Sequence, residues 1–386
     1  MVAVLTTEEP DIETGPKIIT DYDISHIEVD QQALDYYRRN GAGTLHDAFS
    51  IANILHTNRC VKEAASVYGL AFRLHSESAE VYPLPHSLLQ ARLLCLLKSG
   101  ASPSEREINL LRSLNIPVAH YIEGVEQAWL AHDYNSAVAT IGNAYEEFHT
   151  GEEIDSIFLE IAMNSSLDLF SAKPGAVSGR IPRLLFMYWD QNPPPEISDN
   201  FAYHQNIDGF ECRIFDKHEA AEWLYDNYGI EARTLFLGAR HPAEAADFLR
   251  VHVTQFYGGW WLDADIRIRN KDAADFMASR TDQNVVVLTH NYVVHNDFYG
   301  TIPNSSMGAD CLLSLYRNCY QHGGLFIAYK TGPGIFNRAL SRRIHRACEG
   351  VTFPDSIGIY KNDMFDRLIY QFDTPYKSIL PSWHSV

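Results

Sequence analysis

The sequence predicts two bodies in series, an all-α half followed by an α/β half with a largely parallel sheet. Three observations predict it. Apolar residues recur at helical spacing over residues 31–175. The period then changes, and short runs rich in β-branched and aromatic residues ("IPRLLFMYW", "GFECRIFD", "NVVVLTH") alternate with helical stretches. Between the two regimes lies "SAKPGAVSGR", residues 171–180, whose small residues, Pro and Gly mark a linker. The expected domains are a flexible acidic tail over 1–30, a helical domain over 31–175 and the α/β domain over 176–386.

The tail is expected because residues 1–30 carry many acids and few large apolar groups, so that removing them should leave thermal stability nearly unchanged. In the helical half, "LHDAFSIANILHTNRCVKEAASVYGLAFRLH" reads as two helices turning at "HTN", and "YIEGVEQAWLAHDYNSAVATIGNAYEEFH" reads the same way. The second helix of each unit carries alanines seven apart, Ala64 with Ala71 and Ala137 with Ala144. Seven residues is nearly two turns, so each pair lies on one face and admits a close neighbour. The units recur at a spacing of 73 residues, Ala64 to Ala137, about twice the period of tetratricopeptide repeats. A tetratricopeptide-like array and an ordinary bundle both remain open, and either serves protein contacts or dimerisation. The most apolar stretch, "LLQARLLCLLKSG", is too short to span a membrane and carries Arg92, so it reads as a core helix.

Composition removes several function classes. The formal charge is −18 and the pI about 5.3, which argues against nucleic acid as a partner and against attachment to an anionic membrane. The six cysteines form no C-x-x-C, and the opening "MVAVLTTEEPDIETGPK" is no secretory signal, so a reducing, cytoplasmic setting is expected.

Chemistry concentrates in "AADFLRVHVTQFYGGWWLDADI". Asp247 and Arg250 are three apart on a helix and therefore neighbours. They form either an exposed ion pair or a polar clamp for hydroxyl groups. Asp263 and Asp265 follow an apolar strand and point the same way if the strand persists that far. Carboxylates so close repel unless a cation or a shared proton intervenes. D-x-D by itself is weak, since Asp21 and Asp23 form a second copy in the acidic tail. What distinguishes "DADI" is the helix, the glycines and the strand before it.

That combination resembles the signature of glycosyltransferases with the DXD sugar-binding motif, the group around yeast initiating mannosyltransferases, and is similar to the catalytic domains of clostridial glucosylating toxins. The family pattern is A-x-D-x-x-R, a spacer, then G-G-x-Y-x-D-x-D. The resemblance covers roughly residues 180–386. It implies a GT-A nucleotide-sugar-binding fold, retaining hexosyl transfer and a Mn²⁺ or Mg²⁺ ion. It places Asp263 and Asp265 at the metal, with Asp263 also on the donor, and Asp247 and Arg250 on the sugar. Trp189, in "IPRLLFMYW", falls where the family stacks an indole on the donor base. Phe186 replaces the usual His of that strand, and Trp261 replaces the usual Tyr, keeping an aromatic wall. Asn296 and Thr331 (in "TGPGIFNRAL") join the donor set by the same resemblance. The final "LPSWHSV" offers Trp383 to the diphosphate and His384 to the metal, in an order that departs from the family's. No catalytic nucleophile or base is assigned.

The expected function is metal-dependent hexosyl transfer from a nucleotide sugar to a glycan or protein acceptor. The toxin-like features favour a UDP-sugar, with GDP-mannose open. Two rivals stand. A metal-dependent phosphohydrolase needs more His and Asp ligands clustered nearby than this stretch holds. A helical scaffold carrying an inactive transferase domain has against it the intact Asp247, Arg250, Asp263 and Asp265.

Overall fold

The computed structural model describes residues 8–176 and 179–378. The chain divides into two compact units, Met1–Glu147 and Phe148–Val386.

The first unit is all helical: α1 (Asp21–Ile27), α2 (Gln31–Asn40), α3 (Leu45–Thr57), α4 (Val61–His75), α5 (Pro85–Lys98), α6 (Glu105–Leu114), α7 (Ile116–Trp129) and α8 (Tyr134–Ile141). Both predicted helix pairs are present, α3 with α4 and α7 with α8. Along α3, Leu45, Ala48, Ile51, Ala52 and Leu55 are buried at helical spacing against α4, where Ala64 and Ala71 are also buried. The second alanine pair behaves differently. Helix α8 stops at Gly142 (φ +53°), so Ala144 lies in a separate 3₁₀ turn. The close contact there comes from Gly124 of α7, where a Cβ would stand 2.4 Å from Ile141 and 2.9 Å from the Ala137 carbonyl. Helix α5 is the expected core helix, and buried Arg92 is paired with Glu107 (2.8 Å) and Glu9 (2.8 Å).

Residues 8–30 are not a flexible tail. Thr20 and Asp23 form a reciprocal capping box that starts α1. Asp23 is buried and meets buried Arg73 at 3.2 Å, while Ile12, Ile19 and Ile27 enter the core. The segment's acids answer buried arginines of α4 and α5, which a count of apolar residues misses. The second D-x-D copy is thus a cap and an ion pair.

The second unit begins earlier than the expected linker. Helix α9 (Glu153–Asn164) belongs to it, with Asp155 accepting from Arg338 Nε (3.0 Å) and Ser341 Oγ (2.6 Å). The stretch after α9 is tied down as well, since Arg343 donates to the Leu169 and Ser171 carbonyls (3.1 and 2.7 Å). Small residues there mark an irregular path, not a domain boundary.

The unit is built on a six-stranded sheet of order β2-β1-β3-β6-β5-β7. Its strands are β1 (Leu184–Tyr188), β2 (Glu211–Phe215), β3 (Gly259–Leu262), β5 (Asn284–Leu288), β6 (Val294–Thr301) and β7 (Ile357–Tyr360). A two-stranded antiparallel sheet joins β4 (Ile266–Ile268) to β8 (Ile369–Gln371). Strands β1, β2 and β3 run parallel, as expected, but β6 is antiparallel to both of its neighbours, so the sheet is mixed. Strand β6 escaped detection because "VHNDFYGT" is largely polar. Its Gly300 is needed, since a Cβ there would meet the Trp260 ring at 2.7 Å. Helices α10 (Pro195–Gln205), α11 (Lys217–Tyr228), α12 (Ile230–Leu237), α13 (Pro242–Tyr257), α14 (Lys271–Ser279), α15 (Ser306–Gln321), α16 (Ile327–Lys330), α17 (Pro333–Cys348) and α18 (Asn362–Leu368) complete the unit. None of the six cysteines is in a disulfide. No helix among the described residues is long and apolar enough to cross a membrane.

Candidate donor and metal site

The site forms where β3 ends. Gly258 (φ +66°) and Gly259 (φ +112°) turn the chain from α13 into β3, and a Cβ on Gly259 would stand 2.8 Å from the Leu184 carbonyl. The strand therefore lies directly beside β1. It does not persist through both aspartates. It stops at Leu262, and a turn closed by the Ile266 N–H on the Asp263 carbonyl (3.2 Å) separates Asp263 from Asp265. Buried Asn200 of α10 holds that turn, its Nδ2 donating to the Ala264 and Ile266 carbonyls at 2.9 and 2.8 Å.

Helix α13 is buried on nearly every side, which removes the exposed-ion-pair reading of Asp247 and Arg250. Arg250 Nη2 lies 3.0 Å from Asp247 Oδ1 and 2.9 Å from Asp263 Oδ1, and Nη1 donates to the Asn296 carbonyl. One guanidinium thus fastens the helix, the end of β3 and β6 together. Its Nε is buried and without a hydrogen-bond partner among the described residues. Asp247 also accepts from Asn296 Nδ2 (2.9 Å) and Thr331 Oγ1 (3.0 Å). Lys330, next in chain to Thr331, pairs with Glu244 one turn earlier on α13, a second tie between the same segments.

Trp261 is fully buried and donates Nε1–H to Asp263 Oδ1 at 2.6 Å. It acts through Asp263 and is not an exposed wall for a ligand; the indole N–H supplies a donor where the family's Tyr would present a hydroxyl. Phe186 is core, stacked on Tyr257 at 5.9 Å. Trp189 is half-buried at the carboxyl end of β1, where it borders a cleft of about 740 Å³ lined also by Phe201, Ile214, Phe215, Asp216 and Arg233. The D-x-D carboxylates do not line that cleft, but Trp189 meets the ring edge of Tyr376 (5.1 Å), whose hydroxyl donates to Asp265 Oδ2 (3.3 Å). Trp383 and His384 lie outside the described residues.

Negative charge accumulates here. Burial raises the Asp247 carboxyl to about 6 against the opposing pull of Arg250. Burial raises Asp263 to about 7, again opposed by Arg250, and the Asp265 and Asp297 carboxylates push it further. Asp297, which sequence reasoning missed, sits beside Asp263 because its carbonyl accepts the Asp263 N–H (2.9 Å). His295 pairs with it at 3.2 Å. Among the described residues, Asp263 Oδ1 is taken by Arg250 and Trp261 while no bond is made to Oδ2, and Asp265 is bonded through Oδ2 alone. Hard carboxylate oxygens, four carboxylates facing Arg250, Lys377 and His295, are of the kind that fits Mn²⁺ or Mg²⁺. Among the described residues no group of three or more His, Cys, Asp or Glu side chains could hold a metal ion.

No protein-family model matches the chain. Over 101 residues it is 29% identical to a protein named as an uncharacterized glycosyltransferase from Acanthamoeba polyphaga mimivirus. That match covers 25% of this chain and 40% of the relative, so the chain aligns with well under half of that protein's length. It is also similar, at 14% identity and a TM-score of 0.36, to a solved structure named PaToxG glycosyltransferase, over 61% of this chain and 84% of that one.

Proposed function

We propose that the chain is a metal-dependent glycosyltransferase that moves a hexose from a nucleotide sugar, preferably a UDP-sugar, to a glycan or protein acceptor, with retention. One observation carries the reading: Arg250 binds Asp247 and Asp263 at once, so the proposed sugar clamp and the first aspartate of D-x-D are joined at the end of β3. The sequence pattern and the weak similarity to a glycosyltransferase-named relative support it.

In this reading Asp263 Oδ2 and Asp265 would hold Mn²⁺ or Mg²⁺, which would supply neutralisation of diphosphate charge without proton transfer. Trp189 offers its indole face to the base beside the β1–β2 cleft. Asp247, held by Arg250, orients the sugar through the remaining acceptor capacity of its Oδ2. Asn296 and Thr331 keep Asp247 aimed. The bond from the anomeric carbon to the diphosphate oxygen breaks with its electron pair leaving on the nucleotide. The acceptor hydroxyl oxygen bonds to that carbon and releases its proton to water. The helical unit is proposed as a surface for a protein acceptor or a second copy.

The test is thermal-shift titration with UDP-glucose, UDP-galactose, UDP-N-acetylglucosamine and GDP-mannose, each with and without Mn²⁺. A Mn²⁺-dependent rise with one donor is expected, because a ligand that binds only the folded state stabilises it. Asp265→Ala should abolish that rise and sugar transfer while leaving the melting temperature of the free protein near that of wild type. No shift with any donor, or normal transfer by Asp265→Ala, overturns the reading.

A further inference from the structure

The carboxylates at the end of β3 are approached from the C-terminal side by a lysine that the family resemblance does not assign. Lys377 Nζ lies 2.7 Å from Asp265 Oδ2, on the same oxygen that accepts from Tyr376. Tyr376 in turn sets its ring edge against Trp189 at 5.1 Å. The 3₁₀ turn Pro375–Ser378 therefore reaches from the base-side indole to the carboxylates, along the track a nucleoside diphosphate would follow between them.

We propose that Lys377 is a ligand of the donor's diphosphate, an assignment that rests on the donor-site reading above. A divalent ion that takes the other oxygen of Asp265, Oδ1, repels the ammonium on Oδ2 and loosens its hold. The side chain is 56% exposed, so more than half of its surface faces solvent. Its Nζ, released within one side-chain length of Asp265, stays within reach of phosphate oxygens bound to the same ion.

Charge balance gives it work there. Asp263, Asp265, Asp297 and a doubly negative diphosphate face one divalent ion and Arg250, whose Nη groups are already engaged with Asp247, Asp263 and the Asn296 carbonyl. His295 is engaged with Asp297. The site remains net negative as the donor binds and becomes more so as the glycosidic bond breaks. A compact, mobile ammonium already resident among these groups offsets part of that charge.

The experiment is calorimetric titration of UDP, of GDP and of Mn²⁺ alone into the full chain, as wild type, K377A, K377R and K377E. The nucleotides are titrated with Mn²⁺ present. Expected is nucleotide affinity about tenfold weaker in K377A, weaker still in K377E and largely restored in K377R, the size of one charge-assisted hydrogen bond at a half-exposed group. Mn²⁺ alone should bind K377A at least as tightly as wild type, because its competitor for Asp265 is gone. Equal or tighter nucleotide binding by K377A overturns the assignment and leaves Lys377 as a plug that donors displace. If wild type binds neither nucleotide with Mn²⁺, the donor-site reading itself fails. Unchanged melting temperatures across the four proteins show that the fold is not the variable.

Discussion

Asp263→Asn should stabilise the metal-free protein at neutral to alkaline pH. The carboxyl is raised from 3.8 to about 7, so the fold holds its ionised form at a cost. At about 1.4 kcal/mol per pKa unit, that cost approaches a ceiling of about 4 kcal/mol. The side chain keeps 28% of its surface exposed and shares its charge with neighbours, so solvent screening reduces the figure. The amide retains an oxygen for the Trp261 and Arg250 donors while removing the repulsion from Asp265 and Asp297. We expect a net gain of about 1–2 kcal/mol, or a rise of about 3–6 °C for a domain of this size. The sign follows from the direction of the shift. A carboxyl whose folded pKa lies above its unfolded value supports the fold below about pH 4. That support is lost as pH rises through about 7. The advantage of the variant should therefore be absent near pH 4, grow between pH 5 and 7, and level off by pH 8. Calorimetric melts in EDTA across that range measure it, and a variant that melts below wild type at pH 8 refutes the argument. In Mn²⁺ and donor the order should reverse, because only the carboxylate rewards the ion.

Two further predictions concern the helical unit. Deleting residues 1–30 should lower the melting temperature markedly, since it strands buried Arg73 without Asp23, a loss on the order of 3–5 kcal/mol, and removes Ile12, Ile19 and Ile27 from the core; an unchanged midpoint in thermal melting refutes the packed segment. Gly124→Ala should cost about 1–3 kcal/mol in chemical denaturation, because its Cβ would overlap Ile141 and the Ala137 carbonyl. A variant of wild-type stability would show that α7 and α8 are not in that contact.

The site was legible where chemistry and chain order coincide. Asp247, Arg250, Asp263 and Asp265 lie close in chain order, within the one stretch whose combined pattern resembles the family's, and the structure joins Arg250 to Asp247 and Asp263. Asn200, Asp297, Tyr376 and Lys377 were not legible, since each comes from a distant segment and carries no local pattern. Trp261 was read by residue type as a wall; only its neighbours reveal a buried donor to Asp263. Thr331 was placed in the site by resemblance, and the structure gives its hydroxyl to Asp247.

The sequence by itself determined the helix pairs α3–α4 and α7–α8, strands β1, β2, β3 and β5, and the position of the carboxylates at a strand end, because periodicity and turn chemistry are properties of neighbours along the chain. Tertiary structure decided the rest. Pairing across the sheet put polar β6 antiparallel between β3 and β5. Buried Arg73 and Arg92 drew the acidic N-terminal segment into the core, and Arg338 drew α9 into the second unit. In the last two cases a buried charge needed a partner, and no local pattern reveals which distant residue will meet it.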